Sequence, residues 1–169
     1  GGSTELIVGS RNGAEVTLAR YTSLDMGCVR LTERHFRRDP PSQAELDAAI
    51  GTASRAFRTL PFDVSTGTLV GVAGTITTLS AIHLGLDPYD PKRVHGARLD
   101  IEVIEEQRRT LSQLDQKQRT LVRGLHPGRA DVIVAGAIIV EQLLRTSGRD
   151  SLLVSDRGVR YGLLSGLFS

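Results

Sequence analysis

An α/β layered domain built on a mixed sheet is the fold class this sequence predicts, and three observations carry it. The first third alternates polar and apolar residues at period two, as strands do. Residues 67–84 run from a short apolar stretch through a glycine turn into a helical pattern. Val132 and Val140 bound a run that is apolar around the whole circumference of a helix, which belongs in a core. Strands and helices in this order pack as layers, with helices on both faces of the sheet.

Residues 4–8 form a β-branched run, Ser10-Arg11-Asn12-Gly13 is a turn signal, and residues 15–21 alternate. Residues 25–31 predict a third strand, so a meander over 4–31 supplies three antiparallel strands. Asp39-Pro40-Pro41 breaks the chain. Ser42-Gln43-Ala44-Glu45 has capping-box spacing, and Leu46, Ala49, Ile50, Ala53, Phe57 and Leu60 fall at helical intervals, predicting a helix over 42–60 that ends at Pro61.

A strand at 68–70, the glycine turn Gly71-Val72-Ala73-Gly74-Thr75 and a helix to residue 84 follow. Residues 87–125 predict a helical insertion, with Asp100 capping a helix to about residue 111 and a shorter helix at 115–122. His126-Pro127-Gly128 then breaks the chain before a core helix over 129–145. Gly136 inside it costs about 1 kcal/mol relative to Ala, which predicts a packing reason, a close approach to the sheet. A parallel-type strand at 151–155 extends the sheet, and Asp156-Arg157-Gly158 leads into a terminal turn or short helix.

With 169 residues, 40% of them hydrophobic, the chain suits one core and a single domain over 1–169. A net charge of +2 and 4% aromatic residues argue against nucleic acid as a partner. The positive charge is almost all Arg, with Lys only at 92 and 117; codon preference explains that at least as well as phosphate binding. Cys28 is the only cysteine, which excludes an intrachain disulfide and a thiolate metal cage and fits an inert thiol in a reducing cytoplasm. No apolar run approaches the roughly 18 residues that would cross a membrane. His35, His83, His95 and His126 show no paired metal-ligand spacing. The only Met is Met26, so the chain is expected to be a piece of a longer protein.

Two segments have the chemistry to cradle phosphate, because glycines let backbone amides converge on an incoming oxygen. Gly1-Gly2-Ser3-Thr4 precedes the first strand and adds two hydroxyls, although a purification linker leaves the same residues. Gly71 to Thr75 stands where a helix N-terminus adds partial positive charge, although taken alone it is also a plain strand-helix turn with no Walker lysine.

Gly1-Gly2-Ser3-Thr4-Glu5-Leu6-Ile7-Val8-Gly9 resembles the signature of the exopolyphosphatase and guanosine pentaphosphate phosphohydrolase family. Met26-Gly27-Cys28-Val29-Arg30, Gly71 to Thr75, His126-Pro127-Gly128-Arg129-Ala130-Asp131-Val132-Ile133 and Ser155-Asp156-Arg157-Gly158-Val159-Arg160-Tyr161-Gly162 resemble later family blocks in the same order. The resemblance implies an actin-like, ribonuclease-H-like fold of two similar domains around a cleft, of which this chain matches the second lobe.

It further implies hydrolysis of the terminal phosphoanhydride of inorganic polyphosphate, or of the 5'-terminal phosphate of guanosine pentaphosphate, with Mg2+ or another divalent metal. Gly1, Gly2, Ser3 and Thr4 would hold the terminal phosphate, with Gly71, Ala73, Gly74 and Thr75 opposite and Arg129 on the polyanion. Glu5 would be the catalytic and metal-binding acid; without the resemblance it is a solvated strand residue. The family's water-activating glutamate and first phosphate loop belong to the missing N-terminal lobe, so the isolated chain is expected to be inactive. A non-catalytic module binding polyphosphate or nucleotide, and more distantly an actin-like ATPase or sugar kinase, are the alternatives, and the family suggests a homodimer.

Overall fold

The computed structural model describes residues 1–13 and 15–158. Strands β1 (Thr4–Asn12) and β2 (Glu15–Leu24) form the antiparallel hairpin that the Asn12-Gly13 signal predicts. Leu6 pairs with Thr22 and Ile7 with Tyr21, and a register shift after Val8 sets Gly9 opposite Leu18. Pleating separates the two faces. Leu6 is buried on the inner face, whereas Glu5, Ile7, Val16, Leu18, Tyr21 and Ser23 are exposed on the outer one.

The expected third antiparallel strand is instead a helix, α1 (Cys28–His35), so the meander stops at two strands. Cys28 and Leu31, three residues apart, are buried while Val29 and Arg30 are exposed, which is the period of a helix. The Val29 amide donates to the Gly1 carbonyl oxygen at 3.0 Å, a tertiary cap that local propensity does not reveal. Helix α2 (Gln43–Arg58) starts at the expected capping box: the Glu45 amide donates to Ser42 Oγ at 3.4 Å and the Ser42 amide to Glu45 Oε2 at 2.7 Å.

Strand β3 (Val70–Val72) passes directly into α3 (Ala73–His83). The insertion holds α4 (Pro91–Val94), β4 (Arg98–Asp100), α5 (Ile101–Gln113) and α6 (Gln116–Arg119), so it is not wholly helical. β4 escaped the sequence pattern because it is three residues long and buries only Leu99. A 3-10 turn at Pro127–Arg129 delays the core helix, which runs as α7 (Ile133–Ser147) rather than from 129. Gly148, at φ 64°, ends it in the left-handed conformation.

Strand β5 (Ser151–Ser155) is the centre of a mixed sheet of order β3-β5-β4, parallel to β3 and antiparallel to β4. The hairpin forms a separate two-stranded sheet. Leu99, Leu152 and Val154 are buried on the inner face of the mixed sheet, while Val70 (51%), Val72 (47%) and Leu153 (40%) remain exposed on the outer one. Among the described residues the helices pack on the inner face of that sheet. Helix α7 is buried against α1, α2, α3 and α5, as its all-round apolar sequence requires. No helix among the described residues is long and apolar enough to cross a membrane. The terminal turn expected after Gly158 lies outside the described residues.

Candidate phosphate-binding site

The N-terminal residues are held on the start of α1. Gly27, the residue before that helix, has room for no side chain: a Cβ there would overlap the Gly1 carbonyl oxygen and lie 2.6 Å from the Ser3 nitrogen. This close approach lays Gly1, Gly2 and Ser3 across the helix N-terminus, where partial positive charge gathers. The Arg30 side chain lies beside Gly2, with its Nε 3.3 Å from where a Cβ would stand, and pairs with Asp25. A guanidinium thus joins the segment expected to hold a phosphate.

Ser3 Oγ donates to Glu5 Oε1 at 2.5 Å, and Ser23 Oγ donates to the same oxygen at 3.3 Å from across the hairpin. Glu5 is exposed on the outer face, and these bonds hold its carboxylate beside Ser3. Thr4 departs from expectation. Its side chain points inward and its Oγ1 donates to the Met26 carbonyl at 2.5 Å, so that hydroxyl is spent on anchoring the hairpin and not on a phosphate.

The second group gathers at the junction of β3 and α3. No loop separates them; Ala73 alone makes the turn, with a φ of 71° that is the only positive value at a non-glycine residue among the described residues. A left-handed alanine costs about 1–3 kcal/mol and persists only where the surroundings impose it. It turns the chain at the carboxyl end of a parallel strand, where open α/β sheets place their ligands, and leaves the first amides of α3 without helical acceptors.

Arg129 reaches this helix start. Its guanidinium lies against Gly74 so closely that a Cβ on residue 74 would overlap it. No hydrogen bond or ion pair engages that guanidinium among the described residues. Thr75 packs its methyl on Gly136 of α7, where a Cβ would stand 2.6 Å from Cγ2. The packing reason for Gly136 is therefore a crossing of two helices and not an approach to the sheet. Among the described residues no hydrogen bond links the Gly1 to Glu5 group with the Gly74 and Arg129 group.

Two polar contacts beside α3 carry no signal in the sequence. The Tyr89 hydroxyl donates to the Asp156 carboxylate, just beyond β5. Burial, the bond to Asp156 and the negative charge of Asp156 together push the phenol up to about 12, so it stays neutral and donating. His126 accepts from the Gly128 amide at 3.1 Å and shapes the turn that carries Arg129. Only an alignment of distant blocks could have paired residue 89 with 156. No group of three or more His, Cys, Asp or Glu side chains that could hold a metal exists among the described residues. Among the candidate site residues, Glu5 is the carboxylate that could serve as a protein ligand to a magnesium ion, which commonly takes only one or two carboxylates.

The family model for the Ppx/GppA phosphatase family matches residues 1–169. The chain belongs to the Ppx/GppA phosphatase family. It is 39% identical over 175 residues to exopolyphosphatase 2 of Mycobacterium tuberculosis, covering 99% of this chain and 53% of that protein. It is 29% identical to the guanosine-5'-triphosphate,3'-diphosphate pyrophosphatase of Aeromonas hydrophila, covering 99% of this chain and 32% of the relative.

The crystal structure of the Aquifex aeolicus member of the Ppx/GppA family superposes with a TM-score of 0.90 at 35% identity over 99% of this chain and 53% of that one. The actin-like α/β fold implied by the resemblance therefore stands. The chain spans about half the length of the exopolyphosphatase and of the Aquifex protein. Within the Ppx/GppA frame, the Gly1 segment lies across the start of α1 at Gly27, with Arg30 beside Gly2, and the Gly71 and Arg129 blocks meet at the start of α3.

Proposed function

We propose that this chain is the phosphate-binding lobe of an exopolyphosphatase, which removes the terminal phosphate of inorganic polyphosphate by attack of water. The observation that carries the reading is the Arg129 guanidinium, unpaired among the described residues and laid on Gly74 at the amide-rich start of α3. Hydrolysis of a phosphoanhydride asks the protein mainly to fix the phosphoryl group and neutralise its oxygens. Arg129 and the amides of Ala73, Gly74 and Thr75 do so at one point, and the amides of Gly1 and Gly2 with Arg30 at another, while Ser3 Oγ is committed to Glu5. Glu5, fixed by Ser3 and Ser23, orients water or serves as the protein ligand of a divalent metal. A bound Mg2+ would supply further charge neutralisation on the phosphate.

The account expects a complementary lobe, a cytoplasmic setting, and no hydrolysis by the 169 residues alone. Guanosine pentaphosphate is the second substrate to weigh, because a cleft of about 400 Å³ lined by Asp87, Tyr89, Arg93 and Arg123 adjoins α3 and has the volume for a nucleoside. A homodimer would cover the outer hairpin face, where Ile7, Val16, Leu18 and Tyr21 are 60–75% exposed; sedimentation at rising concentration measures it.

The test is phosphate release, with magnesium, by a polypeptide joining this chain to the complementary half of the natural protein. Release from long-chain polyphosphate that falls about 100-fold or more in Glu5→Gln is expected. Unchanged turnover in that variant would remove Glu5 from the reaction, and release from guanosine pentaphosphate alone would select the second substrate.

A further inference from the structure

We infer that Arg119 and Asp39 form a positioning device for Arg129, set one residue behind the site. Arg119 is 4% exposed and has every nitrogen engaged. Its Nε donates to the Ala130 carbonyl at 2.7 Å, one terminal nitrogen to the carbonyls of Leu114 at 2.8 Å and Leu111 at 3.3 Å, and the other to Asp39 Oδ1 at 2.5 Å. Asp39 Oδ2 in turn accepts from the Gln116 amide at 2.6 Å, at the start of the helix that bears Arg119. One guanidinium therefore ties the loop before α2, the end of α5 and the Ala130–Asp131 peptide, one residue beyond Arg129.

That last contact gives the pair its function. The turn carrying Arg129 is short, with its amides bonded within residues 126–132, and it has no strand to hold it. Arg129 must still be laid on Gly74 to within a few tenths of an ångström for its fork to meet phosphate oxygens. The planar fork of Arg119 supplies a fixed reference for the Ala130 carbonyl, which a flexible ammonium cannot do. Asp39 holds that fork from the opposite side. Neither residue touches the anion.

This inference rests on the phosphate-binding reading, and the experiment separates the two. Inorganic tripolyphosphate is titrated calorimetrically into the chain and into Asp39→Asn, Arg119→Lys, Arg129→Ala and the two double variants with Arg129→Ala. Asp39→Asn is the mild change, because the Asp39 side chain is 42% exposed. It also removes a negative charge, which by Coulomb's law alone strengthens anion binding. A loss of affinity in this variant therefore has the sign of lost positioning.

The expected result is a loss of about three- to tenfold in each of Asp39→Asn and Arg119→Lys, with circular dichroism unchanged, and no further loss in the Arg129→Ala background. Folded variants with wild-type affinity overturn the inference, as does an equal loss in the Arg129→Ala background, since the effect would then bypass Arg129. If Arg129→Ala itself binds as the wild type does, the phosphate-binding reading fails and takes the inference with it.

Discussion

Arg129 lies on Gly74 because glycine has no Cβ, and this pairing predicts opposite effects on stability and binding. Gly74→Ala improves helix propensity by up to about 1 kcal/mol but pushes the guanidinium off its seat. Thermal melts are expected to show a stability equal to or above the wild type. Tripolyphosphate affinity in the same protein is expected to fall about tenfold, the scale of one charge-assisted contact. A variant that binds as well as the wild type would mean that Arg129 does not need Gly74. At this scale the sequence disclosed Gly74 and Arg129, because both sit in blocks whose order is informative. It did not disclose Tyr89 or Arg119, and it placed Arg30 and Asp156 in blocks without their partners, which are set by folding. Arg119 lay unnoticed in a polar stretch because a buried guanidinium looks in sequence like any surface Arg.

The elements divide by how local their causes are. The start of α2 was legible because a capping box lies within four residues, and it carries a pH signature. Hydrogen bonds from the Ser42 amide, the Ser42 hydroxyl and the Arg37 and Arg38 amides lower the Glu45 carboxyl from 4.5 to about 2. Because the folded-state value is the lower one, the stabilisation is complete above pH 4.5 and is lost as pH falls toward 2. The difference in melting temperature between wild type and Glu45→Gln is thus expected to be constant above that range and to vanish below it.

Helix α1 was misjudged because its N-terminus is capped by Gly1, 28 residues before Val29 in the chain, and β4 because three residues carry no period. The crossing of α3 and α7 was half legible: Gly136 announced a close neighbour without naming it. Gly136→Ala gains about 1 kcal/mol of propensity and costs about 1–3 kcal/mol of overpacking against Thr75. A net loss of about 1 kcal/mol is expected in denaturant unfolding, and Thr75→Ser, which removes the clashing methyl, should restore stability. No rescue would place the strain elsewhere.

At the scale of the whole molecule, the described residues form an α/β fold whose helices pack on the inner face of the mixed sheet. Ile7, Val16, Leu18 and Tyr21 on the hairpin, and Val70, Val72 and Leu153 on the mixed sheet, remain exposed among the described residues. The α/β class was legible from the order of periods; the split into two sheets was not, because pairing between distant strands leaves no local trace. The exopolyphosphatase and the Aquifex protein, each about twice as long, fit an account in which the site is shared with a second lobe. The most direct test of the central claim, that this lobe carries a phosphate site at two helix starts, is an NMR titration of the arginine Nε–Hε resonances with inorganic tripolyphosphate. The account predicts saturable shifts at Arg129 and Arg30 while Arg55 and Arg58 on α2 stay in place. Uniform small shifts across all arginines, or none at Arg129, would contradict it.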